Sequence, residues 1–187
     1  LDELGRHRRV ISYDHRGVGA SLGDASDLSL AVEIGDLSTV VDHLGIERFD
    51  FWGVSESGAI CAAYAAQNPD RVARLILWNS CPSGPAIARP GAVEGVIGLI
   101  QSNWKLARAA ISDMVFPTGP ASAKQAAADS LERLGPDKSA RRIEFFWSLD
   151  VTDYLPRIVA PVLVLHRRDN ALIPLSAARS LASLIPD

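Results

Sequence analysis

Hydrophobic residues follow two alternating spacings along the 187-residue chain. Short β-branched or aromatic runs are typical of buried strands, and they occur at 10–13, 49–52, 75–78 and 162–166. Longer segments between these runs have helical spacing. The clearest predicted helix has Ser29 as N-cap and Gly45 as stop, and its apolar face comprises Leu30, Ile34, Leu37, Val41 and Leu44.

The order of these elements predicts an α/β fold, with a mostly parallel sheet and flanking helices. Two further helices are predicted at 59–67 and 176–184, each following a strand. Between 83 and 150 the pattern is helical only, which predicts a small helical cap inserted into the sheet domain. We therefore expect a core formed by 1–82 and 151–187, and a cap formed by 83–150.

Composition excludes several classes of partner. The formal net charge is -3, with 19 basic and 22 acidic residues, and no basic run predicts binding to nucleic acid or to an anionic membrane. No apolar stretch has the length of a membrane span, and we expect a cytoplasmic protein. Cys61 and Cys81 lie in apolar surroundings and are expected to be reduced core residues. No metal cluster, phosphate loop or dinucleotide motif occurs, so no cofactor is expected.

The strongest candidate for chemistry is Ser55. It lies between the strand at 49–52 and the helix at 59–67, among small residues, as expected of a nucleophile elbow. In such a turn the serine hydroxyl is raised clear of the sheet, and the next backbone N–H, here that of Glu56, points at the developing oxyanion. The usual pattern is Gly-x-Ser-x-Gly, whereas the fifth position here is Ser57, followed by Gly58.

Four stretches of this chain together resemble the α/β-hydrolase family. They are VISYDHRGVGAS at 10–21, the elbow GVSESG at 53–58, NPDRVARLIL at 68–77 and PVLVLH at 161–166. Within the family, the chain is most similar to hydrolase-like domains joined to nucleotide cyclases or transcriptional regulators. A fused regulatory domain is therefore left open. The resemblance implies a Ser-acid-His triad, with the acid in the loop after the strand at 162–166.

The acid position has two candidates. Family members commonly carry the acid four residues before a proline, and counting back from Pro174 gives Asn170. Asp169 is its neighbour. Either a shift of one residue lets Asp169 act as the acid, or the site lacks its carboxylate.

No histidine follows Asp169, although Ser55 needs a general base. We expect structural or solvent-exposed roles for the four that are present, which are His7, His15, His43 and His166. The resemblance implies further strands before residue 10, one of them between the strands at 10–13 and 49–52, and a catalytic histidine beyond residue 187. We therefore expect a partial chain whose sheet has a gap or an altered pairing.

Two main functions are consistent with these residues. One is a serine hydrolase acting on a small apolar ester or related carbonyl compound, with Ser55, Glu56 and Asp169 in the roles above. The other is a non-catalytic sensing or regulatory domain, which Asn170 favours. Cofactor-free peroxidase chemistry would use the same triad. Four aromatic residues of the cap are candidates for either a substrate pocket or ordinary core, namely Trp104, Phe145, Phe146 and Trp147.

Overall fold

The computed structural model describes residues 2–21 and 26–186. The three strands found there are β1 (Phe49–Val54), β2 (Val72–Trp78) and β3 (Val162–Leu165). The helices are α1 (Asp2–Gly5), α2 (Leu30–His43), α3 (Glu56–Gln67), α4 (Gly84–Ile87), α5 (Ala92–Ser102), α6 (Trp104–Val115), α7 (Ala121–Leu134), α8 (Pro136–Ser148) and α9 (Leu175–Leu184). A short 3-10 helix spans Leu155–Arg157. The predicted α/β fold class is confirmed, with helices flanking a parallel sheet.

The strands form a parallel sheet in the order β1-β2-β3. Trp52 lies opposite Ile76, and Ile76 lies opposite Leu163, so the three strands end at one edge. In open parallel sheets the carboxyl edge is where ligands bind. The sheet therefore brings the residue after β1 and the loop after β3 to the same edge.

The main core forms around α3, which packs against β1, β2 and α2. Most of its side chains are small, so the helix axis can approach the sheet closely. The tightest approach involves two glycines. A Cβ on Gly53 would lie 2.6 Å from the Gly58 Cα, and a Cβ on Gly58 would lie 1.8 Å from the Ser80 Oγ. Neither position has room for a larger residue unless its neighbours move.

The opposite face of the sheet is exposed among the described residues. Side chains on a strand alternate between the two faces, so one set points away from α3. Large apolar residues of that set are exposed, namely Trp52, Val54, Leu163 and Leu165. Trp52 also stacks on Trp78, with the ring centroids 5.8 Å apart. We refer to these five residues as the open sheet face.

Five consecutive helices, α4 to α8, lie between β2 and β3, in agreement with the predicted helical stretch. The two ends of this stretch lie side by side. Gly84 N–H donates to the Leu149 carbonyl at 2.7 Å, and Val151 N–H donates to the Pro82 carbonyl at 2.8 Å. The chain thus leaves the sheet and returns to it at one place, as an insertion does. The division of the chain into core and cap stays a prediction.

The strand predicted at 10–13 is wrong. These residues form no ladder with any of the described strands, and Val10 and Ile11 are exposed. A strand is stabilised by hydrogen bonds to a neighbouring strand, which an apolar run cannot supply by itself. Either a gap in the sheet or an altered pairing was expected here, and the three-stranded order shows that this segment does not join the described sheet.

Cys61 and Cys81 are buried free thiols, as predicted. Across residues 2–21 and 26–186, no helix has both the length and the apolar character needed to cross a lipid bilayer. The same residues contain no group of three or more metal-ligating side chains.

Candidate active site

Ser55 occupies the turn between β1 and α3 with φ 55° and ψ -121°. A serine with positive φ is uncommon, and such strain of about 1–3 kcal/mol persists only where surrounding contacts impose it. Ser55 N–H donates to the Trp78 carbonyl at 2.8 Å, and the Ser80 hydroxyl donates to the Ser55 carbonyl at 3.0 Å. The backbone geometry predicted for a nucleophile elbow is therefore present.

The Ser55 side chain is partly exposed and makes no capping hydrogen bond to α3. Glu56 follows as the first residue of α3, where backbone N–H groups have no partner inside the helix. The positive end of the helix dipole lies at the same point and favours a negatively charged oxygen. The geometry suits attack by Ser55 with the Glu56 N–H as oxyanion donor, and both roles stay predictions.

The two candidates for the acid, Asn170 and Asp169, make different contacts in the loop after β3. Asn170 is buried, and its Oδ1 accepts from the N–H groups of Leu172 and Ile173, each at 3.0 Å. Its amide therefore supports the loop. Asp169 accepts from the hydroxyl of Thr118 and from its backbone N–H, the latter at 3.3 Å.

Asp169 also forms an ion pair with Arg167 at 2.9 Å. Hydrogen bonds from Thr118, and then those from Arg167, lower the pKa of Asp169 to about 2. The carboxylate is therefore charged at neutral pH, as a triad acid must be. Its assignment as the acid is a prediction that these contacts do not test.

Three of the four histidines have the structural or exposed positions expected of them. His7 and His43 are exposed. His166 Nε2 lies 2.8 Å from the Ile173 carbonyl, to which it donates, and its buried Nδ1 has no hydrogen-bond partner among the described residues. His166 therefore supports the loop after β3.

His15 is different, because each of its ring nitrogens lies within hydrogen-bond distance of a side chain that can donate or accept a proton. Nδ1 lies 2.6 Å from Oε2 of Glu33, and Nε2 lies 3.2 Å from the hydroxyl of Ser57. Glu33 belongs to α2 and is fully buried, whereas Ser57 belongs to the first turn of α3. The structure thus places a serine, a histidine and a carboxylate in one hydrogen-bonded chain.

Arg142 of α8 fixes the acidic end of this chain. Its guanidinium pairs with Glu33 and also with Glu56 at the start of α3. Burial raises the pKa of Glu33, but the hydrogen bond from His15 and the charge of Arg142 outweigh burial, so the pKa lies below its ordinary value. Glu33 is therefore an ionised, buried carboxylate that joins α2 to α8 through Arg142.

The residues near Asp14 support the turn at 14–21. Asp14 Oδ2 accepts from Ala20 N–H at 2.9 Å, and Arg16 pairs with Asp36 of α2 at 2.6 Å. These contacts hold the turn that carries His15 against α2.

Two of the clefts in the described part of the chain lie beside the helical stretch, and Ser55 lines neither of them. The first has a volume of about 710 Å³ and includes Phe145, and the second has about 420 Å³ and includes Trp104. Phe146 and Trp147 instead belong to a small core with Cys81. The four aromatic residues therefore do not line one common pocket.

Comparison with known proteins agrees with this architecture. The family model for the alpha/beta hydrolase fold matches residues 1–187. The chain belongs to the α/β-hydrolase family. It is 31% identical over 189 residues to "Putative carbamate hydrolase RutD" of Caulobacter sp. (strain K31), covering 96% of this chain and 69% of that protein.

Solved structures show the same fold. The enol-lactonase from Burkholderia xenovorans LB400 matches with a TM-score of 0.81 at 25% identity, covering 98% of this chain and 72% of that chain. An esterase from Exiguobacterium antarcticum matches with a TM-score of 0.82 at 19% identity, covering 92% and 68% respectively. Its family and its relatives therefore identify the protein as a hydrolase. Its substrate and its nucleophile must be inferred from the geometry of the site.

The contacts among Ser57, His15 and Glu33 were not predicted from the sequence. The three residues lie in different elements, and Ser57 is 42 positions from His15. One signal was available, since Glu33 is an acidic residue on the predicted buried side of α2, next to Ile34 and Leu37. A buried carboxylate needs charged or donating partners, which indicates that His15 or an arginine lies nearby.

Proposed function

We propose that this α/β hydrolase cleaves small apolar esters or related carbonyl compounds with Ser55 as the nucleophile. The observation that carries the proposal is the backbone of Ser55, with φ 55° at the junction of β1 and α3. Strain at a polar, partly exposed residue is characteristic of functional sites, where surrounding structure maintains it. Ester, lactone and carbamate cleavage share attack on a carbonyl carbon, and the relatives' names include the latter two classes.

In this mechanism the Ser55 oxygen attacks the carbonyl carbon, and the negative charge moves onto the carbonyl oxygen. The Glu56 N–H and the dipole of α3 stabilise that charge. Asp169 orients and stabilises the protonated histidine. The general base in this mechanism is the histidine that the family resemblance implies. The alternative of a sensing domain gains no support from the relatives reported above.

The test is hydrolysis of p-nitrophenyl acetate, a phenyl carbamate and a small lactone by the full-length protein. We expect Ser55→Ala to lower kcat/KM by at least about 10⁴-fold, because the nucleophile is lost. Ser102→Ala is the matched control, since Ser102 is exposed at the end of α5 and its hydroxyl donates to the Gly98 carbonyl of the same helix. Turnover that is equal in the Ser55→Ala variant and its control would refute the proposal.

Two further variants test the acid. Asp169→Asn is expected to lower kcat by about 10⁴-fold if Asp169 orients the histidine. Asn170→Asp is the matched comparison, because it adds a carboxylate at the neighbouring position. If Asn170→Asp raises activity and Asp169→Asn leaves it unchanged, Asp169 is not the acid.

A further inference from the structure

The side chains of Ser57, His15 and Glu33 form a hydrogen-bonded chain that the Ser55 mechanism does not use. The His15 ring stands between them, 3.2 Å from the Ser57 oxygen and 2.6 Å from the Glu33 carboxylate. Serine, imidazole and carboxylate in this order are the parts of a nucleophile with its general base and orienting acid. Ser55 itself contributes no side chain to this group.

The direction of the protons follows from the buried carboxylate. Glu33 is completely buried and pairs with Arg142, so it is ionised and only accepts hydrogen bonds. His15 Nδ1 must therefore carry a proton and donate it to Glu33. In neutral imidazole the other nitrogen is then an acceptor, so the Ser57 hydroxyl donates to Nε2. This is the tautomer that a histidine needs to remove the proton from a serine.

The group is reachable from solvent on the serine side. Ser57 is partly exposed, and the His15 side chain is 22% exposed, whereas Glu33 is sealed beneath them. A small reagent can therefore approach the Ser57 oxygen. The imidazole is fixed on its buried side, because Arg142 pairs with Glu33 and Glu33 accepts a hydrogen bond from His15. This support provides the rigidity that catalysis requires.

We propose that Ser57, with His15 as general base and Glu33 as the residue that positions it, is a second nucleophile, reactive towards fluorophosphonates. With a fluorophosphonate, the Ser57 oxygen bonds to phosphorus and the P–F bond breaks. Fluoride leaves with the bonding electrons, and the serine proton passes to His15 Nε2.

This site is separate from Ser55, so its test is done in a Ser55→Ala background. A fluorophosphonate probe is incubated with the Ser55→Ala protein, in the same form as in the hydrolysis test, and the adduct is located by mass spectrometry. Residues 49–71 form one tryptic peptide that contains both serines, and fragmentation of that peptide distinguishes them. We expect the adduct on Ser57 in Ser55→Ala, and its loss when Ser57→Ala is added. Ser102→Ala in the same background is the control and should label fully.

The role of His15 has its own readout. His15→Ala in the Ser55→Ala background is expected to label about 100-fold more slowly, since general-base catalysis typically contributes 10²–10⁴-fold. Added imidazole should restore much of the rate, which a purely structural contact would not show. Thermal melts check that the variant is folded, and His15→Gln replaces it if it is not.

Three results would overturn the proposal. The first is that the Ser55→Ala variant is labelled no more than the variant that lacks both serines. The second is an adduct on another residue. The third is labelling that does not depend on His15, or that imidazole does not raise in His15→Ala. Each of these is measured without Ser55, so failure of the Ser55 mechanism leaves the test of Ser57 unaffected.

Discussion

Replacing Arg142 by methionine should destabilise the protein more than the same replacement of an exposed charged residue on α8. The Arg142 side chain is only 12% exposed, and its guanidinium pairs with Glu33, whose side chain has no exposed surface. Methionine keeps much of the arginine stem but removes the charge. Glu33 would then be a buried carboxylate with His15 as its remaining partner.

The expected cost can be worked from that burial. Removing one partner of a buried charge pair typically costs about 3–5 kcal/mol. The 2.6 Å hydrogen bond from His15 still satisfies part of Glu33. We therefore expect a loss near the lower limit, about 3 kcal/mol in the free energy of unfolding. Exposed surface ion pairs contribute about 0–1 kcal/mol, so the two cases are distinguishable.

The assay is urea unfolding followed by circular dichroism, with Lys138→Met as the matched control on the same helix. Lys138 is exposed, and its replacement should change the free energy of unfolding by less than about 0.5 kcal/mol. A double variant with Glu33→Gln should be less destabilised than the sum of the two single variants, because the buried charge is gone. Equal midpoints for Arg142→Met and Lys138→Met, or strict additivity with Glu33→Gln, would refute the reasoning.

Three other outcomes follow from the described contacts. Gly58→Ala should lower stability by about 1–3 kcal/mol in thermal or urea unfolding, because the new Cβ would meet Ser80, and adding Ser80→Gly should restore part of the loss. Thr118→Val should raise the pKa of Asp169 from about 2 towards its ordinary value of 3.8, measured by carboxyl NMR titration, and an unchanged pKa would contradict the assigned cause. Glu33 has a lowered pKa in the fold, so its contribution is present above its ordinary value of 4.5 and is lost as pH falls through the folded pKa. Glu33→Gln should therefore make unfolding free energy less steeply dependent on pH below 4.5 than in the parent protein, and identical slopes would refute this.

Local signals in the sequence were sufficient to predict α2 and the turn at Ser55. Ser29 caps α2 by accepting from Val32 N–H, and Gly45 has a positive φ, as the stop signal predicts. The turn at Ser55 follows from its place between a strand and a helix of small residues. These features depend on neighbours within a few positions, so a pattern can identify them.

Features that depend on distant partners were not predictable in the same way. The run at 10–13 has the composition of a strand, yet strand formation requires a neighbouring ladder that composition does not specify. His15 was expected to be structural because of its place in the chain, whereas its contacts come from α2 and α3. At Asn170, sequence showed the missing carboxylate, but only the folded loop shows that the amide holds two backbone N–H groups.

The stacked pair on the open sheet face gives the protein a built-in optical signal. Trp52 and Trp78 are on adjacent strands with rings inclined by only 20°, and at this separation the electronic transitions of two indoles couple. Slippage of β1 by one residue would send Trp52 to the other side of the sheet and abolish the coupling. The exciton couplet that the stacked pair produces therefore reports the alignment of β1 with β2 without any label.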